Sequence, residues 1–283
     1  GGGAPAGRPS SGAARRAPGP SECRHALYLA ARSIGECLGR AGIGAEGIDH
    51  LLAASSSTVA SPSLEDFLAQ ALPFPRNLRR TPLGAHGATA GLARAADALR
   101  ARPLDRALLV CLALRSFAFA PGVGGGADAI YAEHAAALLL GGDAAPGDAL
   151  AQLVDSESVP AAQALAVAVP CSDGIRLASP SKLSGLCAQD AREGLERLLA
   201  RRGLSRDELF ALLVDPGMLA PAEAAEALGA GASDRELLAR HAGRGCAMPM
   251  MLRDALVRAP RGAALLLASF GASLDCELVL LRA

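Results

Sequence analysis

The sequence predicts an α/β fold in which layers of helix enclose buried sheet. Three observations predict it. Continuous apolar runs such as 107–114 (ALLVCLAL) and 263–270 have the length and content of strands covered on both faces. Between such runs, apolar residues recur at helical spacing, as at Leu27, Ala31, Ile34 and Leu38. The two patterns alternate along the chain, as they do where helices pack on a sheet.

Residues 1–21 hold Gly, Pro, Ala, Ser and Arg with almost no large apolar side chain, and are expected to form a disordered tail. A helix follows from Glu22, and Gly39 and Gly42 end it. Residues 48–54 read as a short buried strand. Residues 64–72 read as a helix, with Ser63 as N-cap ahead of Glu65 and Asp66 and with the Pro73–Arg76 turn closing it. A helix over 88–100 leads to the 107–114 strand, and further strands are expected over 135–140 and 151–156. The second half repeats the theme. A long amphipathic helix covers 186–201, and a buried strand covers 209–214 and ends at Asp215-Pro216-Gly217. Helices over 221–228, 235–241 and 246–257 precede two strands, 263–270 and 274–281, joined by Gly271-Ala272-Ser273. The expected organisation is a tail, an N-terminal half over 22–158 and a C-terminal half over 159–283.

Composition excludes several classes. The chain has 283 residues, 51% of them hydrophobic and 20% charged, which suits a soluble globular protein with a sizeable core. Lys plus Arg and Asp plus Glu balance at 28 each, so no net field attracts nucleic acid or an anionic membrane. Aromatic residues make up 3% and Trp is absent, which leaves little for base stacking. No apolar run reaches a membrane span. Seven scattered cysteines without a CxxC pair argue for reduced thiols, a cytoplasmic setting and no zinc site. The Gly122–Gly126 loop lacks the Lys-Ser/Thr of a phosphate-binding loop and reads as a surface loop.

Five segments carry a resemblance. Gly84-Ala85-His86-Gly87-Ala88 opens the helix that ends Ala95-Ala96-Asp97. Ala132-Glu133-His134-Ala135-Ala136-Ala137 follows the 107–114 strand. Ser184-Gly185-Leu186 opens the long helix, Val214-Asp215-Pro216-Gly217 ends a strand, and Gly243-Arg244-Gly245-Cys246-Ala247 leads into another helix. Beyond these five, a closing stretch runs from Ser269-Phe270-Gly271 through Glu277. In this order and at these separations the chain resembles the type III polyketide synthases, the chalcone synthase-like members of the thiolase-fold condensing enzymes. Ketoacyl-ACP synthase III is a related alternative with the same fold. The resemblance covers roughly residues 45–283. It implies a thiolase-like α-β-α-β-α layered fold with a truncated N-terminal half, because the family's opening strand and coenzyme A contacts have no counterpart.

The resemblance also implies where the chemistry would lie. The family's nucleophilic Cys, catalytic His and catalytic Asn map to Ala85, Asp215 and Arg244. A thiolate at a helix start takes the acyl group as a thioester. His and Asn then donate to the oxyanion formed when a malonyl thioester loses CO2. Ala85 has no nucleophile, and an ionised Asp215 accepts where a donor is needed. Arg244 is charged and bulky where a small amide fits. An Asp215–Arg244 ion pair is expected in the remnant pocket. His86 and Cys246 are the candidate substitutes, and both read more simply as packed interior residues.

The leading expectation is therefore a pseudoenzyme without independent ketosynthase activity. It would serve as a non-catalytic partner, a homo- or heterodimer with a thiolase-fold homologue, in polyketide or fatty-acyl metabolism. The alternatives are an acyltransferase or acyl-thioester enzyme using non-standard residues, with Asp215 as its base, and a module binding an acyl chain or acyl carrier protein. No resident cofactor or metal is expected. An acyl-coenzyme A or phosphopantetheine thioester is the candidate ligand.

Overall fold

The computed structural model describes residues 20–55, 63–84, 87–113, 134–145, 147–161, 168–171, 174–177, 184–217, 219–241, 246–271 and 275–283. The expected tail over 1–19 and the Gly122–Gly126 loop lie outside the described residues.

The first half begins with helix α1 (Pro20–Ala41). Pro20 and Ser21 belong to the helix, not to the tail expected from composition. Proline is favoured in the first turn, where its missing N–H leaves no hydrogen bond unmade. Then come strand β1 (His50–Ser55), helix α2 (Leu64–Ala71), strand β2 (Arg79–Gly84) and helix α3 (Gly87–Arg100). Strands β3 (Arg106–Ala113) and β4 (His134–Gly141) complete it. Ser63 caps α2 as expected: its hydroxyl and its backbone N–H both donate to Asp66 Oδ2, at 2.8 and 3.4 Å.

The second half holds β5 (Gln152–Val159), the hairpin β6 (Ala168–Cys171) and β7 (Gly174–Leu177), α4 (Ser184–Arg201) and β8 (Leu209–Asp215). Helices α5 (Pro221–Ala227), α6 (Ala232–His241) and α7 (Ala247–Arg258) lead to β9 (Ala264–Phe270) and β10 (Cys276–Arg282).

Two four-stranded sheets form, ordered β2-β1-β3-β4 and β5-β10-β9-β8. β1 runs parallel to β2 and β3, and β4 returns antiparallel to β3. In the second sheet β8 and β9 are parallel, and β10 is antiparallel to both β9 and β5. β5 pairs with β10 and so belongs to the second sheet. β2 has no counterpart among the expected strands, because Arg79-Arg80-Thr81-Pro82 carries two charges and a proline. It stands at the sheet's edge, where a proline costs no ladder bond on the open side.

The halves share one local design. α1 and α4 each end at a glycine with positive φ, Gly42 (+65°) and Gly203 (+62°). The next residue, Ile43 or Leu204, then donates its N–H to the carbonyl of Leu38 or Leu199. A 3-10 turn follows, Ala45–Gly47 or Arg206–Glu208, and then β1 or β8. Glycine is favoured at that helix end because a Cβ is penalised there.

The main core spans both sheets and α3, α4 and α7, with Leu109, Leu195, Leu213, Leu266, Leu267, Leu278 and Val279 almost fully buried. Polar ties join the halves. The Thr89 hydroxyl on α3 and the Ser269 hydroxyl on β9 hydrogen-bond in the interior. Glu277 on β10 accepts from Ser158 Oγ at 2.8 Å and from Arg94 Nη2 at 3.3 Å.

One buried histidine makes stability pH-dependent. His50 Nε2 lies 2.8 Å from Thr81 Oγ1, joining β1 to β2. Burial, and then the charge of Arg79, push its pKa below 6.5. The native state therefore resists protonation more than the unfolded chain does. The resulting stability is present above about pH 6.5 and declines as pH falls toward the folded value. The denaturant midpoint is expected to drop between about pH 7 and 5 more steeply in the parent chain than in His50→Gln. Parallel curves would show that His50 is not the group responsible.

Candidate functional site

The candidate site lies where the carboxyl ends of β3, β8 and β9 meet the N-termini of α3 and α7. α3 starts at Gly87 with φ +74°. Its first turns, Ala88 to Ala93, are buried. Gly91 lets this helix pack closely on β3: a Cβ there would lie 2.6 Å from Leu109 Cδ1. The loop before it, with Ala85 and His86, lies outside the described residues.

Asp215 closes β8 and sits beside Ser269 of β9 in register. Its Oδ1 accepts the Gly217 N–H at 3.2 Å, which fixes the Asp-Pro-Gly turn. Gly217 has φ +57°, and a Cβ on it would fall 1.9 Å from the Phe270 carbonyl oxygen. The turn thus packs directly on the end of β9.

Cys246 precedes α7 and is 3% exposed. Its thiol donates to the carbonyls of Cys111 on β3 and His134 on β4, at 3.4 Å each. The thiol is thereby committed to joining α7 to the first sheet. Cys111 is buried, and its thiol is raised well above the ordinary value by burial first, then by Cys246 and Asp215. A thiol held protonated is a poor nucleophile. Arg244 lies outside the described residues, as does the Asp215–Arg244 pair expected from the sequence.

The structure therefore brings Asp215, Cys246 and Cys111 to one end of the sheets. Ala85, His86 and Arg244 lie outside the described residues. Sequence reasoning gives Thr89, Ser269 and His134 no part in this region. Thr89 and Ser269 leave a faint signal, each a hydroxyl within an otherwise small or apolar buried run. Among the described residues no group of three or more His, Cys, Asp or Glu is placed to hold a metal ion. Cys37, Cys111, Cys187, Cys246 and Cys276 are free thiols. No described helix is long and apolar enough to cross a membrane.

No family model matches the sequence. One curated relative is similar, the 1,3,6,8-tetrahydroxynaphthalene synthase of Streptomyces peucetius subsp. caesius. It is 36% identical over 128 residues, 42% of this chain, and the matched stretch spans only 33% of that relative's length. Among solved structures, the 1,3,6,8-tetrahydroxynaphthalene synthase of Streptomyces coelicolor A3(2), a bacterial type III polyketide synthase, superposes with TM-score 0.76. It has 21% identity over 92% of this chain and 78% of its own. CsyB, solved with CoA-SH, also gives TM-score 0.76, with 19% identity over 94% of this chain and 82% of its own. Germicidin synthase from Streptomyces coelicolor gives TM-score 0.76 at 16% identity, covering 92% and 72%.

The two sheets, their helix layers and these superpositions define the class, a thiolase-like layered α/β fold, and the chain spans 72–82% of the solved chains it matches. Within that class the chain resembles the type III polyketide synthases, the chalcone synthase-like family, in sequence as well as in fold.

Proposed function

We propose that this chain is a catalytically degenerate type III polyketide synthase-like protein that acts as a non-catalytic partner of an active condensing enzyme. The observation that carries this reading is the pattern of change. Ala85, Asp215 and Arg244 stand where the family has its nucleophile and its two oxyanion donors, while the strands and helices around them keep an almost fully buried core. Loss of one oxyanion donor costs about 10²–10³ in rate, and loss of the thiol removes the covalent step. Cys246 supports the reading, because its buried thiol already serves two backbone carbonyls.

A second reading keeps acyl-thioester chemistry, with Asp215 as a general base. It is favoured by the partial exposure of Asp215 at the carboxyl end of β8. On either reading the ligand class is an acyl-coenzyme A or carrier-protein thioester.

The test mixes the purified chain with radiolabelled acetyl- and malonyl-coenzyme A, alone and after co-expression with a triad-bearing homologue. The partner reading expects no protein-bound label and no CO2 from the chain alone. It also expects a stable heterodimer in which the homologue's rate or product changes. Turnover by the chain alone would favour the second reading. Absence of any association would leave the partner role without support.

A further inference from the structure

Two buried cysteines from different halves of the chain meet at the candidate site. β3 alternates between two clusters. Leu108 and Val110 pack toward α1 with Ile34 and Leu51, whereas Leu109 and Cys111 pack inward with residues of α3 and α7. Cys246, the N-cap of α7, belongs to the same inner cluster. Its Sγ lies 3.4 Å from the carbonyl oxygen of Cys111 itself. The carbonyl carbon and the Cβ of a residue are both bonded to its Cα, so this contact sets one sulfur beside the residue that carries the other. The thiols also sense each other: after burial, Cys246 is the largest of the causes that raise the Cys111 pKa. A disulfide needs Cβ atoms about 3.5–4.5 Å apart, so segments in direct contact through one of the two sulfurs are the ones placed to form it.

We infer that Cys111 and Cys246 are a redox modification site, the two ends of a reversible disulfide formed with a low-molecular-weight disulfide as oxidant. Cys246 reacts first, because it stands at the start of α7, where the helix dipole steadies the negative charge of a thiolate. Its sulfur attacks one sulfur of the oxidant. A mixed disulfide forms, the oxidant's S–S bond breaks, and the departing thiolate takes the proton that Cys246 gave up. The Cys111 sulfur then attacks the Cys246 sulfur, and the second oxidant half leaves as a thiol with the Cys111 proton. Two protein thiols are oxidised and one small disulfide is reduced to two thiols. The second step is intramolecular, so proximity offsets the small thiolate fraction that burial leaves on Cys111.

The bond would tie β3 to the start of α7 across a separation of 135 residues. A closure that long restricts the unfolded chain and stabilises the folded one. In the reduced chain the same junction is held by the Cys246 thiol donating to the carbonyls of Cys111 and His134. Oxidation exchanges those two hydrogen bonds for one covalent bond, and reduction restores them. A pair of this kind suits a chain whose thiols are otherwise reduced, since disulfides in reducing compartments are transient. Cys187 of α4 and Cys276 of β10 are the alternative linkage: both are buried, and Cys187 helps to raise the Cys276 pKa. Oxidation of Cys111 and Cys246 is independent of whether the chain turns over an acyl thioester or binds a partner.

The test oxidises the intact chain with excess glutathione disulfide at about pH 8.5, in buffer and again in urea at half the concentration of its unfolding midpoint. Proteolysis without reductant and mass spectrometry identify the linkages. The expected result is the loss of two thiols per chain and a Cys111–Cys246 linkage at least about tenfold more abundant than any other cysteine linkage or glutathione adduct. Dithiothreitol restores both thiols, and the oxidised chain unfolds at higher urea than the reduced one. In Cys111→Ala the reaction stops at glutathione bound to Cys246, and in Cys246→Ala Cys111 stays unlinked, with circular dichroism showing that each variant is folded. A Cys187–Cys276 linkage in place of the expected one, or a glutathione adduct that persists on Cys246 of the parent chain, would overturn the inference. So would thiols that stay unreacted both in buffer and in urea. Acyl-transfer measurements play no part, so failure of the catalytic or partner reading leaves this result interpretable.

Discussion

Gly217→Ala is expected to destabilise the protein by about 3–5 kcal/mol, the sum of two separate costs. The first is conformational. Gly217 has φ +57°, and an L side chain there meets its own backbone. The second is packing. The added Cβ would stand 1.9 Å from the Phe270 carbonyl oxygen, an atom of β9 that cannot swing aside as a flexible side chain can. β9 is the second sheet's central parallel strand and is buried throughout. Moving Phe270 would disturb its pairing with Cys276 on β10 and the neighbouring Ser269–Thr89 bond. Gly203→Ala is the control. Its φ is +62°, but no atom lies within 4 Å of the point where its Cβ would stand, so only the conformational cost of about 1–2 kcal/mol applies. Urea denaturation midpoints at constant slope measure both variants. Equal losses would mean that the turn after Asp215 does not press on β9.

Restoring Ala85→Cys, Asp215→His and Arg244→Asn together is expected to create malonyl-thioester decarboxylation that Ala85→Cys alone does not give. The single variant regains a thiol ahead of α3, whose N-terminal dipole favours a thiolate, but it gains no donor for the oxyanion. Each regained donor is worth about 10²–10³ in rate, so the two act on the step that the single variant leaves slow. Asp215 is half-buried at the carboxyl end of β8, and its exchange for His gives up the bond from the Gly217 N–H. Circular dichroism of each variant separates loss of fold from loss of chemistry. A folded triple variant with no more CO2 release than Ala85→Cys would show that these positions are not the family's catalytic positions. CO2 release by the parent chain would show that its pocket is active.

Some of this was legible in the sequence for local reasons. The 107–114 and 263–270 runs became β3 and β9 because eight or so apolar residues without a helical stripe have one stable use, burial on both faces. Ser63 and Asp66 fixed the start of α2, since a cap depends on residues three apart. The Ser184 start of α4 and the Asp-Pro-Gly end of β8 were equally local. The proposal that Ala85, Asp215 and Arg244 occupy the family's catalytic positions rests only on the resemblance of the motifs.

Tertiary structure decided what depends on distant partners. β2 has a polar, proline-containing sequence and is a strand only because β1 offers its edge, and the β6–β7 hairpin likewise escapes the pattern. Cys246 reads as a candidate nucleophile in sequence, yet in the fold its thiol bridges two carbonyls 135 and 112 residues away along the chain. Thr89 and Ser269, 180 residues apart, join the two halves through one buried hydrogen bond that neither local pattern implies. β10 is buried and β4 half-buried although their segments are similarly apolar, and β5 pairs beside β10. Periodicity and capping fixed the elements, because those forces act within a few residues. Pairing, edges and the company each site residue keeps were fixed by contacts between segments far apart in the chain, which no local pattern encodes.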